Sequence, residues 1–189
     1  MNPSELTTLA AEASERIADI QRLCGRTEAE EAKISFPRGF IITAGKRRMR
    51  LAFVRRNSVR NNIAYTLILY DVYLWVLKRT DLAGTARDML VKACLATLGA
   101  VVEALLNDWY AGRMGKRQKF TSRTKRLVHD GIIDAGLQGE LDWLWDMRCR
   151  QHLYELSSSE FEFYSIADQR RAALAVGNLL ERLNNVAAA

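Results

Sequence analysis

The sequence predicts an all-α protein, and three observations carry that expectation. Prolines number two, Pro3 and Pro37, so from residue 38 onward nothing forbids helix on backbone grounds. Apolar residues make up 49% of the 189 positions and are spread along the chain, enough to fill a sizeable core. They recur at helical spacing between glycine and polar breaks. The expected architecture is an up-down bundle of about five to six helices over residues 48–186, with residues 1–47 as an N-terminal appendage.

In the appendage, Ser4 can cap a helix from Glu5 to about Cys24, with Leu6, Leu9, Ala13, Ile17 and Ile20 as its apolar positions. Gly25 is a stop signal. Residues 34–45 (ISFPRGFIITAG) are short, β-branched and punctuated by Pro37, Gly39 and Gly45, which fits a loop or a short strand pair. A long helix is expected from about Arg48 to Lys78; its second half is apolar on most sides and should be central. Thr80, Asp81 and Gly84 break it. A third helix follows over Thr85–Tyr110, then a basic loop at 112–119, then a short helix over 122–130 capped by Thr121. The next helix is expected over Glu140–Tyr154 and the last over Ile166–Val186.

The formal net charge is +6, and its distribution says more than its size. No acid lies between Glu31 and Asp71, a stretch that holds Arg47, Arg48, Arg50, Arg55 and Arg56. None lies between Asp108 and Asp130, a stretch that holds Lys116, Arg117, Lys119, Arg123 and Arg126. These two blocks hold more than half of the 28 Lys and Arg residues. With Arg150 they are the candidate RNA-binding residues, since each phosphate they neutralise adds salt-sensitive affinity. Three cysteines at long spacings, with no CxxC, argue against a disulfide framework and a zinc site, and no cofactor is expected. The polar, acidic start is unlike a signal peptide. The apolar run Ile63–Leu77 is interrupted by Asp71 and falls short of the ~20 residues that span a bilayer. A cytoplasmic location away from membranes is the expectation.

Two motifs bear on chemistry. Gly39–Lys46 (GFIITAGK) superficially looks like a phosphate-binding loop, but the glycine is misplaced, Arg47 stands where Ser or Thr holds magnesium, and no parallel-sheet pattern surrounds it. The second is Arg148 and His152 in LDWLWDMRCRQHLYE. On a helix these two lie on one face, with Leu141, Leu144 and Trp145 on roughly the same side. A cation and an imidazole on a core-facing stripe need a partner or a cavity. Arg148 can meet that need in a structural ion pair with Glu103 or Glu155.

That stretch resembles the motif helix of HEPN-domain proteins. The element order is similar too: two long apolar helices, the second with a lone acid in LGAVVEALL, then a basic loop, a short helix, the motif helix and a closing helix. The resemblance covers about residues 60–184. Its Arg-to-His gap is shorter than the family's usual one, and Cys149 stands where the family often has Asn. The resemblance implies a homodimeric helical bundle with its motifs at a cleft, often a metal-independent endoribonuclease of toxin–antitoxin or phage-defence systems, with an antitoxin or other protein partner. Carried over, His152 is the general acid or base, Arg148 the phosphate stabiliser, and Glu103 orients the pair. The alternative is a catalytically inactive helical module that binds RNA, a nucleotide or a protein.

Overall fold

The computed structural model describes residues 2–115, 118–150, 160 and 163–188. Among these there are seven α-helices and two 3-10 turns, and no strand. The helices are α1 (Pro3–Cys24), α2 (Ala44–Arg50), α3 (Asn57–Arg79), α4 (Gly84–Trp109), α5 (Phe120–His129), α6 (Ala135–Cys149) and α7 (Ile166–Ala188). The all-α bundle expected from the sequence is the one observed.

The chain divides into two compact units, residues 1–38 and 39–189. The first unit holds α1, capped by Asn2, whose Oδ1 accepts the Ser4 N–H at 3.1 Å. Ser4 therefore lies inside the helix and not at its cap, because Pro3 is preorganised for the first helical position. No residue of α1 is buried. Residues 34–45 form no strand; a 3-10 turn at Arg38–Phe40 leads into α2, which Thr43 caps. Residues 39–47 belong to the bundle. The Asp71 carboxylate on α3 accepts the Ile42 N–H at 2.9 Å and the Arg47 guanidinium at 2.6 Å.

The long helix expected from Arg48 is two helices, α2 and α3, separated by a turn. Leu51 and Val54 in that turn are 1% and 2% exposed. The Asp108 carboxylate on α4 accepts the Arg55 and Arg56 N–H groups at 2.7 and 3.4 Å and the Arg56 Nε at 2.9 Å. Asp108 thus fixes the turn that leads into α3 from another helix, by accepting the two backbone N–H groups just ahead of Asn57.

The centre of the bundle is α4, where the sequence pattern pointed to α3. Val91, Cys94, Leu95, Leu98, Val101, Val102, Leu105 and Leu106 on α4 are all at most 2% exposed, and the helix packs against α3, α5, α6 and α7. Tyr65 and Leu69 on α3 are exposed. By length and composition α4 could cross a bilayer, yet 61% of its apolar window is buried inside the bundle. Burial pushes the Cys94 thiol up to about 12, which makes it inert core.

The charged groups buried along α4, Asp88, Lys92 and Asp108, have partners, whereas the buried Trp109 Nε1 has none among the described residues. Lys92 donates to Glu160, which also accepts the Tyr164 hydroxyl, just ahead of α7. Burial pushes the Glu160 carboxyl up. The hydrogen bonds from Lys92 and Tyr164, with the charges of Lys92 and Arg150, outweigh that and hold it below the usual range. A carboxyl lowered in this way stabilises the fold above its unfolded-state value, and the contribution is lost as pH falls through the folded-state value. Melts from about pH 7 down to about pH 3 should show the deficit of Glu160→Gln shrinking towards zero; a deficit that does not change with pH would contradict the assignment.

Candidate functional site

Helix α6 carries the motif arginine to α4. Gly131, at φ 69, turns the chain after α5, and the Asp134 side chain caps α6 by accepting the Leu137 N–H at 2.7 Å. Helix α6 starts five residues earlier than its apolar pattern suggests, because that cap stands ahead of it. Leu141 and Leu144 are fully buried against the core. One turn on, α6 lies so close to α4 that a Cβ built on Gly99 would fall 2.6 Å from the Arg148 Cβ. Only a residue without a side chain permits this approach.

Glu103 lies one turn beyond Gly99 on α4, and its Oε2 accepts the Arg148 Nη2–H at 3.2 Å. The guanidinium sits 4.9 Å from the Trp145 ring, which stacks on Phe120 at 4.5 Å with 5° between planes. Arg148 is thus fixed on two sides. Its side chain is 29% exposed and that of Glu103 35%, so solvent reaches the pair. An ion pair this open contributes at most about 1 kcal/mol, so stability alone does not demand it.

Helix α6 is described as far as Cys149, with Arg150 at its C-cap, and the residues on to Tyr154, where the sequence placed the end of this helix, lie outside the described ones. His152 lies outside the described residues, as do Lys116 and Arg117. Arg150 is placed 4.1 Å from the Phe163 ring. Gly99→Ala is expected to force α6 away from α4 at a buried contact. Overpacking of this kind costs about 1–3 kcal/mol, read as a drop in melting temperature of about 2–4 °C per kcal/mol. A melting temperature equal to wild type would show that the approach is not tight.

The candidate RNA-binding residues separate into groups. Arg50, Arg55, Arg56, Lys119 and Arg126 are exposed, and Arg48 is half-buried. Arg126 is paired with Asp130 at 2.8 Å. Arg47 belongs to the interior instead, its side chain 13% exposed in the ion pair with Asp71. An open groove between α2 and the start of α3 is lined by Lys46, Arg48, Asn57 and Arg60, with no acid among its lining residues. Arg56 and Arg123, one from each basic block, line a second pocket at the end of α4. The Gly39–Lys46 segment follows no strand and so lacks the strand, loop and helix order of a phosphate-binding loop. Among the described residues no His, Cys, Asp or Glu cluster is grouped to hold a metal ion.

No protein-family model, curated protein or solved structure matches this chain. What the site can do is therefore read from its own chemistry. Two residues that matter here escaped the sequence reading. Gly99 had a signal: a glycine inside an apolar helix, one turn before the lone acid. Asp108 had none, because its role depends on a turn 52 residues away in the chain.

Proposed function

We propose that this chain binds RNA on its basic surface and cleaves it without a metal ion, with Arg148 and His152 as the catalytic residues. The observation that carries the reading is the Arg148–Glu103 pair. It is held across α4 and α6 by a glycine contact, and about a third of each side chain is open to solvent. The resemblance of its surroundings to the HEPN motif helix supports it, as does the acid-free groove between α2 and α3.

The chemistry needs few parts. A base, His152, removes the proton of a ribose 2′-hydroxyl. The oxygen attacks the adjacent phosphorus, the bond to the 5′-oxygen breaks, and that oxygen takes up a proton as it leaves. The products are a 2′,3′-cyclic phosphate and a 5′-hydroxyl. Arg148 holds non-bridging oxygens as charge builds on them, and Glu103 keeps the guanidinium in place. A homodimer, a partner antitoxin and a role in defence belong to the same proposal.

A second reading has its own support. Arg148 is already engaged by Glu103 and Trp145, as in a module that binds RNA and does not cut it. Purified protein incubated with mixed RNA in EDTA separates the two. Cleavage that disappears in His152→Ala supports the enzyme. RNA bound and left intact by wild type supports the silent module.

A further inference from the structure

The two basic blocks meet at a pocket of about 270 Å³ where α4 ends, lined by Arg56, Asn107, Tyr110, Gly112, Gly115 and Arg123 among others. Arg123 sets this place apart. It is 9% exposed, and its guanidinium makes no hydrogen bond or ion pair with any described residue. The other charges buried in the bundle are paired: Asp71 with Arg47, Asp88 with Arg87, Lys92 with Glu160 and Asp108 with Arg56. Asp108 is the acid nearest in the chain to this pocket, and its oxygens are taken by the Arg55 and Arg56 N–H groups and the Arg56 Nε. Asp130 is taken by Arg126 and the Tyr110 hydroxyl.

A guanidinium whose stem is packed into the bundle, with no described counterion and with nitrogens that are not sealed from solvent, is placed to take up an anion. Arg56 binds Asp108 through Nε, which leaves its two Nη atoms without a described acceptor on a side chain that is 58% exposed. Guanidinium forks match the oxygens of a phosphate in geometry as well as in charge. The carbonyl end of α4 adds negative potential here, which the two arginines of the pocket oppose.

We propose that this pocket binds one phosphate group, clasped between Arg56 and Arg123. The pocket is smaller than a typical small-molecule site of about 300–1,000 Å³, so it suits a single phosphate and little beyond it. Only the source of that phosphate, an RNA strand, rests on the reading above. The pocket itself does not.

The test has two arms. In the first, inorganic phosphate or adenosine monophosphate is added to the full-length protein at constant ionic strength, and the melting temperature is followed. Wild type should be stabilised in a saturable way and Arg123→Met should not. Without ligand, Arg123→Met should melt at the wild-type temperature or above, because it removes a charge that has no partner among the described residues. Ala111→Glu, an exposed change at the rim, keeps Arg123 and should also abolish the response by placing a carboxylate at the pocket. In the second arm, fluorescence anisotropy follows RNA oligonucleotides with and without a 5′-phosphate. Arg123→Met should weaken RNA binding about tenfold and lower the slope of log affinity against log salt by about 1. A phosphate response with unchanged RNA affinity keeps the pocket, assigns it to free phosphate compounds, and counts against RNA as its source. Equal responses to phosphate in wild type, Arg123→Met and Ala111→Glu would overturn the proposal.

Discussion

Asp71→Ala is expected to destabilise the bundle by about 3–5 kcal/mol, the largest effect of any single charge removal, because it strands a buried cation. Asp71 is 5% exposed and the Arg47 side chain 13%. Two bonds are lost together, the ion pair to Arg47 and the acceptor for the Ile42 N–H. At about 2–4 °C per kcal/mol, the melting temperature should fall by at least ~6 °C. The double change Asp71→Leu with Arg47→Met should recover most of that loss, since apolar replacement of a buried pair is often neutral. If Asp71→Ala melts within about 1 °C of wild type, α2 is not tied to α3 in this way.

Arg148→Ala should lower RNA cleavage by about 10²–10³-fold, the usual loss when a donor aimed at developing charge is removed. The same change should move stability by no more than about 1 kcal/mol, because the pair with Glu103 is open to solvent. Arg148→Lys keeps the charge but not the planar fork, and should fall between the two. Single-turnover rates with saturating RNA, measured beside thermal melts, separate catalysis from folding. A loss of activity matched by a large loss of stability would make Arg148 a structural residue.

Most of the fold was legible because helix signals are local. The break at Thr80 to Gly84, the basic loop and the last helix all follow from spacing and punctuation near each element. What was not legible came from contacts distant in sequence. The α2–α3 break depends on Asp108, and the burial of Arg47 depends on Asp71. The centrality of α4 over α3 could not be seen from apolar content, because both helices are apolar on most sides. For the site, Glu103 was named from a lone acid in an apolar helix, and the structure brings it to Arg148. The expected helical register between Arg148 and His152 falls on residues outside those described, since His152 is one of them. A buried arginine without a partner among the described residues, such as Arg123, reads in the sequence as one more member of a basic block.

The chemistry of the RNA ends is the most direct measurement of the central claim. Wild-type protein in EDTA should leave fragments that end in 2′,3′-cyclic phosphate and begin with 5′-hydroxyl, and a single 2′-deoxy substitution at a cut site should block that cut. Intact RNA across all conditions of pH and salt in which the protein is folded, or cutting that persists at the 2′-deoxy position, would contradict it.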